Sequence, residues 1–268
     1  MKGRAKGPKQ GGVTLLELMV AMGIFLVICA AMFGLLQMSQ TRYASESQLS
    51  GTFQEARLAL DQIVRDVDSS GYPALGLFSV IPKDASGYAA APVAWSPNYP
   101  GTPCTIGTGG GGTCNPSPGD FDLIVETQTD VVGKVNWIRY QLKANDTTLY
   151  RAVVPKTKNG DPVTATAGAM VPFVENVMNN ASASQIATIT ATYPSMFPGG
   201  APQPVFQYTC DTASGPMACP AAGANGTPMN VRDVDVMLIV GTLQPDQQSG
   251  AIKLVELNGR GHRVNAVN

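Results

Sequence analysis

Charged residues are scarce in this chain of 268 residues, because Asp, Glu, Lys and Arg together make up only 14% of it, against about 25% in an ordinary soluble domain. The formal net charge is −1. A broad nucleic-acid surface would require clustered Lys and Arg, so a nucleic-acid partner is not expected. Histidine occurs once, which excludes a His-rich metal site and leaves little material for histidine-based catalysis.

Catalytic and ligand-binding motifs are also missing. The sequence has no G-x-S-x-G, H-E-x-x-H or Cys–His pattern that would recruit His262, which is expected to be a solvated residue near the C-terminus. The glycine tract at 109–112 is not followed by G-K-[ST], so it is not a phosphate cradle. Two pairs of carboxylates lie outside any recognisable calcium loop and are expected to be solvated: Asp66 with Asp68, and Asp120 with Asp122. The sequence therefore predicts neither an enzyme nor a metal, cofactor or small-molecule substrate.

The scarce charge is unevenly distributed, and residues 18–36 contain none at all. A helix of this length rises about 1.5 Å per residue, so it nearly crosses a hydrocarbon core of about 30 Å. The segment before it carries Lys2, Arg4, Lys6 and Lys9 and no acid, which predicts a cytoplasmic N-terminus and an exported C-terminal bulk. A plain single-span anchor is one interpretation. A cleaved secretory signal peptide fits less well, because its apolar core usually has about 7–15 residues and ends in an A-x-A-like site.

One charged residue, Glu17, lies inside the apolar stretch, where a carboxylate costs about 3 kcal/mol and calls for a specific partner. The surrounding segment, residues 11–28 (GGVTLLELMVAMGIFLVI), resembles the prepilin signal shared by type IV pilins and type II secretion pseudopilins. The resemblance implies cleavage between Gly12 and Val13 by a prepilin peptidase/methyltransferase, methylation of the new Val13 amine, and a role for Glu17 in directing assembly. Val13 stands where the family usually has Phe.

The spacing of Val13 and Glu17 has a physical reason. Cleavage would create a cationic amine on Val13 beside lipid, and four residues along a helix is about 6 Å, so the two residues would share a helix face. The amine of the same subunit or of a neighbouring one could then neutralise the carboxylate and reduce the cost of keeping both charges out of water. The alternative is an incidental glutamate at the membrane edge that reaches water on its own.

No proline or turn cluster interrupts the chain from residue 18 to about residue 68, which predicts one continuous helix that residues 69–73 end. Beyond the membrane the helix is amphipathic, with an apolar stripe that should dock on a sheet: Leu49, Phe53, Ala56, Leu60, Ile63 or Val64, and Val67. The expected segments are a basic leader at 1–12, a membrane and assembly segment at 13–36, an amphipathic half-helix at 37–70, a Gly/Pro-rich loop region at 71–119 and a β-rich head at 120–268.

Strand-like runs follow a stretch at 73–118 that is rich in Pro, Gly, Ala and Ser and is expected to be a surface loop. The runs lie at 121–127, 134–142, 148–154, 186–193, 204–209, 231–240 and 252–256, and residues 170–178 fit a strand with an edge proline. Short polar turns between the first three indicate an antiparallel meander. The expected class is α+β, with a long N-terminal helix, membrane-spanning in its first half, packed on an antiparallel sheet.

Four cysteines lie outside the apolar segment, as two pairs that are close in sequence: Cys104 with Cys114, and Cys210 with Cys219. Four cysteines allow three pairings, and two local disulfides are favoured in an exported domain. Zinc binding is the alternative, but the spacing of the cysteines does not match the usual C-x2-4-C pattern.

The order of the predicted elements gives a second resemblance. The segments ARLALDQIVRDV, DLIVE, WIRYQL, LYRAV, VPFVENV, VFQYT and RDVDVMLIV are similar to those of PilW-type minor pilins and of J-type pseudopilins. The resemblance implies a pilin fold and a structural minor pilin that helps to initiate or cap a type IV pilus, with other minor and major pilins as partners. It places the chain first in the bacterial inner membrane, with a periplasmic head, and then in the pilus. The alternatives are a J-type pseudopilin of type II secretion and a membrane-anchored adhesin that binds through the 73–118 loop.

Overall fold

The computed structural model describes residues 12–73, 86–107, 112–129, 134–158, 160–219, 226–246 and 250–264. All of the expected leader except Gly12 lies outside the described residues, as do parts of the expected loop region, including most of the glycine tract at 109–112. The chain divides into two compact units, Met1–Ser47 and Gln48–Asn268.

One helix, α1 at Leu15–Asp68, contains residues of both units and confirms the predicted continuous helix. In the first unit the large apolar side chains from Val13 to Met38 are exposed. In the second unit α1 buries a single stripe, made of Ala56, Ala59, Leu60, Ile63, Asp66 and Val67. The apolar members of this stripe follow the predicted helical spacing. The helix ends at Asp68, and three residues later Gly71 takes a positive φ of 76°.

The first described sheet has four antiparallel strands in sequence order. They are β1 (Asp122–Thr127), β2 (Asn136–Leu142), β3 (Leu149–Pro155) and β4 (Val171–Val174). The outer edge of β1 is covered by residues 92–94, because the Ala94 amide donates to Ile124 O (2.8 Å) and the Glu126 amide donates to Pro92 O (3.2 Å). Residues 88–95 are buried. The expectation of a surface loop over 73–118 is therefore wrong for this part, because its alanine, valine and tryptophan side chains belong to the core.

The second described sheet also has four antiparallel strands, in the order β6-β5-β7-β8. They are β5 (Phe206–Thr212), β6 (Gly215–Ala218), β7 (Val231–Gly241) and β8 (Leu254–His262). Two short helices precede this sheet: α2 (Pro162–Ala167) and α3 (Ala183–Thr192). The α+β class is confirmed, but the strands form two sheets rather than the single sheet that was expected.

The predicted strand at 186–193 is wrong, because residues 186–192 belong to the helix α3 and Tyr193 is its C-cap. The β-branched residues of this segment favoured a strand, but Ile186 and Ile189 are three residues apart and are both buried on one helix face. Ser182 and Gln185 form a capping box at the start of the helix. The pattern S-x-x-Q was visible in the sequence and would have been the better guide.

Helix α1 packs closely on β8 at two glycines. A Cβ atom added to Gly259 would lie 2.9 Å from Leu60 Cδ1, and one added to Gly261 would lie 2.5 Å from Val67 Cβ. Distances this short are not tolerated between carbon atoms. The sequence N-G-R-G-H in β8 therefore lets α1 approach the second sheet more closely than any side chain would allow, and both sheets share one core with α1.

Candidate functional site

The N-terminal end of α1 is closed by a side-chain cap. The Thr14 amide donates to Glu17 Oε2 (3.0 Å), and the Glu17 amide donates back to Thr14 Oγ1 (3.3 Å). The Leu18 amide donates to Thr14 O (3.2 Å). These bonds make Thr14 the N-cap of α1 and Glu17 its third helical residue, so the pair forms a reciprocal capping box. The carboxylate also lies near the positive end of the helix dipole, which favours its charge.

Gly12 and Val13 precede this cap and are not helical. In this uncleaved chain the Val13 nitrogen is part of a peptide bond, and the Glu17 carboxylate also accepts a hydrogen bond from Thr14 Oγ1 (3.1 Å). The helical spacing expected for Val13 and Glu17 is absent here because α1 begins at Leu15. A charge pair between them therefore requires both a free amine and either another helical turn or a second subunit.

The surface that follows Glu17 is strongly apolar. Helix α1 contains an 18-residue window with a mean hydropathy of 2.6, which is long and apolar enough to cross a membrane. Between residue 13 and residue 41 Glu17 is the sole charged side chain of the sequence. A lone carboxylate at one end of such a segment is costly in lipid and marks a functional position.

Comparison with known families bears on this same segment. A family model described as the prokaryotic N-terminal methylation motif matches residues 7–33. The chain carries the methylation motif. No curated protein and no solved structure gives a significant match. The motif supports a type IV pilin-like protein, a structural rather than catalytic class that is processed by prepilin peptidase and assembles with other pilins.

The C-terminal half of α1, beyond the methylation motif, is tied to the first sheet through Asp66. Tyr140 Oη and Arg151 Nη2 donate to Asp66 Oδ2 at 2.6 and 2.9 Å, and Gln62 Nε2 donates to Oδ1 at 2.7 Å. Arg151 Nε also donates to Tyr140 Oη (3.0 Å). Burial, followed by the charge of Asp66, raises the pKa of Tyr140 above its ordinary value, so the hydroxyl remains a donor. The expectation that Asp66 is solvated is wrong, because its helix position turns it toward β2 and β3.

The end of α1 is tied to the second sheet as well. The His262 amide donates to Asp68 Oδ1 (2.7 Å). The His262 ring hydrogen-bonds the buried Asp233, to which Arg260 Nη2 also donates. Burial alone would raise the pKa of Asp233, but the bonds from His262 and Arg260 outweigh it and lower that pKa. His262 is exposed as expected, but it lies at the end of β8 rather than in a tail. Asp68 is not simply solvated, because its hydrogen bond with His262 joins α1 to that strand.

Asp122 and Asp120 have different surroundings. The Arg139 guanidinium donates to both oxygens of the buried Asp122, with Nη2–Oδ2 at 2.6 Å, and Gln141 Nε2 donates at 2.8 Å. Burial raises the pKa of Asp122 in spite of Arg139. The expectation of a solvated carboxylate is wrong for Asp122, which is buried and joins β1 to β2. The same expectation agrees with Asp120, which is exposed. Among the described residues, no group of three or more His, Cys, Asp or Glu side chains is placed to hold a metal ion.

Both disulfides are present in the local pairing that the spacing favours. Cys104 is bonded to Cys114 and Cys210 to Cys219, whereas Cys29 in α1 is free. The first bridge closes a loop within a segment that has no regular strands, and the second lies across the β5–β6 hairpin. Zinc binding is thus not the role of these cysteines, and the bonds agree with an oxidising compartment.

Glu126 and Lys156 form a buried charge pair that sequence analysis missed. Both side chains are fully buried, and Lys156 Nζ lies 3.3 Å from Glu126 Oε2. Trp137 Nε1 (2.8 Å) and Tyr99 Oη donate to Glu126 Oε1, and the Ala90 amide donates to Oε2 (2.6 Å). Lys156 Nζ also donates to Tyr88 O (3.1 Å). The partners lie between 11 and 68 residues apart, so no local sequence pattern could have identified them.

We expect Asp66→Ala to lower the free energy of unfolding of the mature protein by about 2 kcal/mol, because it leaves Tyr140 and the half-buried Arg151 without their acceptor. The matched control is Asp61→Ala, since Asp61 is exposed on the same helix, and it should cost about 0.5 kcal/mol or less. Denaturant unfolding monitored by tryptophan fluorescence would measure both. Equal costs for the two variants would contradict the anchoring role of Asp66.

Proposed function

We propose that this chain is a minor pilin of a type IV pilus, which helps to initiate or cap the fibre and acts by assembly rather than by catalysis. The observation that carries the proposal is the methylation motif at residues 7–33, followed by an apolar helix with one carboxylate near its start. A second support is the order of the strand segments in the head, which resembles that of PilW-type minor pilins. J-type pseudopilins share the same N-terminal features and are the second candidate.

The geometry of the N-terminal segment supports processing between Gly12 and Val13. The basic leader, residues 1–12, stays on the cytoplasmic side, and residues 13–36 span the inner membrane once, so that the head is exported. Thr14 caps the start of α1 directly after Val13, so the Gly12–Val13 bond lies in non-helical chain. A peptidase can hold such a bond without first unwinding a helix. Cleavage there releases the leader, and methylation of the Val13 amine keeps the positive charge.

Assembly then uses that amine. A neighbouring subunit presents its Val13 amine to the Glu17 carboxylate, which neutralises two charges that otherwise cost free energy in lipid. The exposed apolar side chains between Val13 and Met38 pack against those of adjacent helices. The head contributes stable attachment of α1 through Asp66 and Asp68, and the two disulfides fit the oxidising side of the membrane.

We expect Glu17→Val to leave membrane insertion and processing intact but to reduce incorporation into sheared surface fibres by about tenfold or more, because the loss of the charge pair costs at least about 1.4 kcal/mol. Glu17→Gln is the matched control, since glutamine keeps the capping bond with Thr14 and removes only the charge. Quantitative mass spectrometry of the fibres measures both variants.

The control separates two roles of Glu17. If the charge recruits the neighbouring amine, Glu17→Gln fails to assemble as Glu17→Val does. If Glu17→Gln assembles normally, Glu17 serves only as a helix cap and the proposed assembly step is wrong. Incorporation of the wild-type chain into a secretion pseudopilus, with none in pili, would instead assign the chain to the J-type pseudopilins.

A further inference from the structure

The strand β8 forms an edge of the second sheet, and its backbone pairs with β7 on one side. The Thr242 amide donates to Lys253 O and the Arg263 amide to Arg232 O, both at 2.9 Å. With the register of Asp235 opposite Arg260 and Met237 opposite Asn258, these bonds fix which groups face β7. The odd-numbered residues of β8 bond to β7, and the N–H and C=O groups of Glu256, Asn258 and Arg260 point away from it.

These outward-pointing backbone groups are available for hydrogen bonding. Glu256, Asn258 and Arg260 are exposed, and among the described residues nothing hydrogen-bonds their backbone N–H or C=O groups. At the end of the strand the outward amide of His262 is bound by Asp68. An exposed row of unpaired backbone groups is a template on which another extended chain can pair.

The other three described sheet edges are closed or interrupted. Residues 92–94 hydrogen-bond the outer edge of β1. The edge strands β4 and β6 have four residues each and carry Pro172 and Pro216, which cannot donate to an added strand. By contrast β8 has nine residues, no proline and a regular register with β7. Proteins usually protect such an edge, so its openness at this one place indicates a use.

The charges beside this edge indicate what pairs with it. Arg260 is already paired with Asp233 and lies 3.7 Å from Asp235. Glu256 accepts a hydrogen bond from Asn258 Nδ2 (2.7 Å), and in the part of the chain that the structure describes it has no cationic partner. A strand added to β8 would satisfy this carboxylate if it placed a lysine or arginine directly opposite Glu256.

Two copies of this chain do not fit this edge as an antiparallel pair of β8 strands. The chain direction of α1 is the same as that of β8, because Leu60 lies at Gly259, Val67 at Gly261 and Asp68 at His262. Two β8 strands paired antiparallel would set their α1 helices antiparallel. On the proposed function, copies of α1 enter one membrane in the same direction, and this excludes such a dimer.

We propose that the β8 edge, at Glu256, Asn258 and Arg260, binds an extended segment of a different protein by strand addition, with a basic side chain of that segment opposite Glu256. The backbone bonds supply the affinity, and the alternate side chains supply the selection. This surface belongs to the exported head, so it gives the subunit a second kind of contact besides helix packing.

The test uses the full chain in detergent micelles and a synthetic peptide of alternating valine and threonine with one central lysine. Hydrogen exchange should show slower exchange at the Glu256, Asn258 and Arg260 amides when the peptide is added. Asn258→Pro removes one outward N–H without affecting a bond to β7, so peptide affinity should fall by about tenfold. Asn258→Thr keeps that N–H and should bind as the wild type does.

A charge exchange gives a second measurement that leaves the backbone unchanged. Glu256→Lys should weaken binding of the lysine peptide by about fivefold, and a peptide with glutamate in place of lysine should restore it. Unchanged exchange of the three amides with the lysine peptide, or equal binding by Asn258→Pro and Asn258→Thr, would overturn the proposal. Protection of these amides that grows with protein concentration in the absence of peptide would also overturn it, because a second copy would then be the occupant.

Discussion

Lys156→Met should lower the free energy of unfolding of the head by about 3–5 kcal/mol, the largest effect expected of any single substitution considered. The ammonium group lies 3.3 Å from Glu126 Oε2, and neither side chain has any exposed area. Removing the cation leaves the buried Glu126 carboxylate, among the described residues, with three neutral donors: Trp137, Tyr99 and the Ala90 amide. Denaturant unfolding of the head, with tryptophan fluorescence as the probe, measures the loss.

The double variant Glu126→Gln/Lys156→Met is the control for this pair. Once both charges are gone, no uncompensated ion stays buried, so the double variant should lose clearly less stability than the sum of the two single variants. A coupling free energy of about 2 kcal/mol or more is expected. Additive losses would mean that each side chain contributes through packing alone, which would contradict the charge pairing.

Gly261→Ala should cost about 3 kcal/mol, because the new methyl group would lie 2.5 Å from Val67 Cβ. Val67 is branched at that carbon and belongs to the buried stripe of α1, so neither the helix nor the strand can move aside cheaply. The substitution should loosen the contact between α1 and β8. Hydrogen exchange of α1 amides near Val67 should become faster, and thermal unfolding of the protein should occur at a lower temperature.

The matched control for this prediction is Gly259→Ala in the same strand. Its Cβ would lie 2.9 Å from Leu60 Cδ1 and 3.0 Å from Val64 Cγ2, and a small shift of these side-chain ends relieves both contacts more cheaply than the 2.5 Å approach to Val67 Cβ. The expected cost is therefore about 1 kcal/mol. If Gly259→Ala proves as costly as Gly261→Ala, the strand contributes to stability in some way other than close approach to Val67.

The main elements of this fold were predictable because they depend on local patterns. The uninterrupted helix, its apolar stripe and most strands follow from periodicity, and the disulfides follow from short spacing within an exported domain. The error at 186–193 came from preferring β-branched composition over the capping box of Ser182 and Gln185. A helix start is a specific hydrogen-bonding pattern, whereas β propensity depends on the surroundings.

The polar attachments of the head could not be predicted, because each one joins distant parts of the chain. Asp66 looked like a solvated carboxylate beside Asp68, yet Tyr140 and Arg151, which follow it by 74 and 85 residues, enclose it. His262 looked like part of a tail, yet it lies in the edge strand that receives α1. Only the register of the sheets brings such partners together, and a single sequence does not contain that register.

The N-terminal segment shows the opposite case, since its main features are local. The expected role of Glu17 came from its place after Gly12 and within an apolar run. The structure shows in addition that Thr14 is the N-cap of the helix and that it hydrogen-bonds the Glu17 carboxylate. This cap explains how one chain can have a long helix and still offer a non-helical bond before Val13. The role of Thr14 could have been inferred from T-x-x-E, the sequence of a capping box.

The mass of the N-terminal peptide decides whether the chain is a processed, pilin-like subunit. The full-length gene product would be purified from cells with an active prepilin peptidase and analysed by mass spectrometry after digestion. We expect an N-terminal peptide that begins at Val13, with its amine methylated, and an unprocessed chain in cells without the peptidase. A protein that begins at Met1 in the presence of the active peptidase would contradict it.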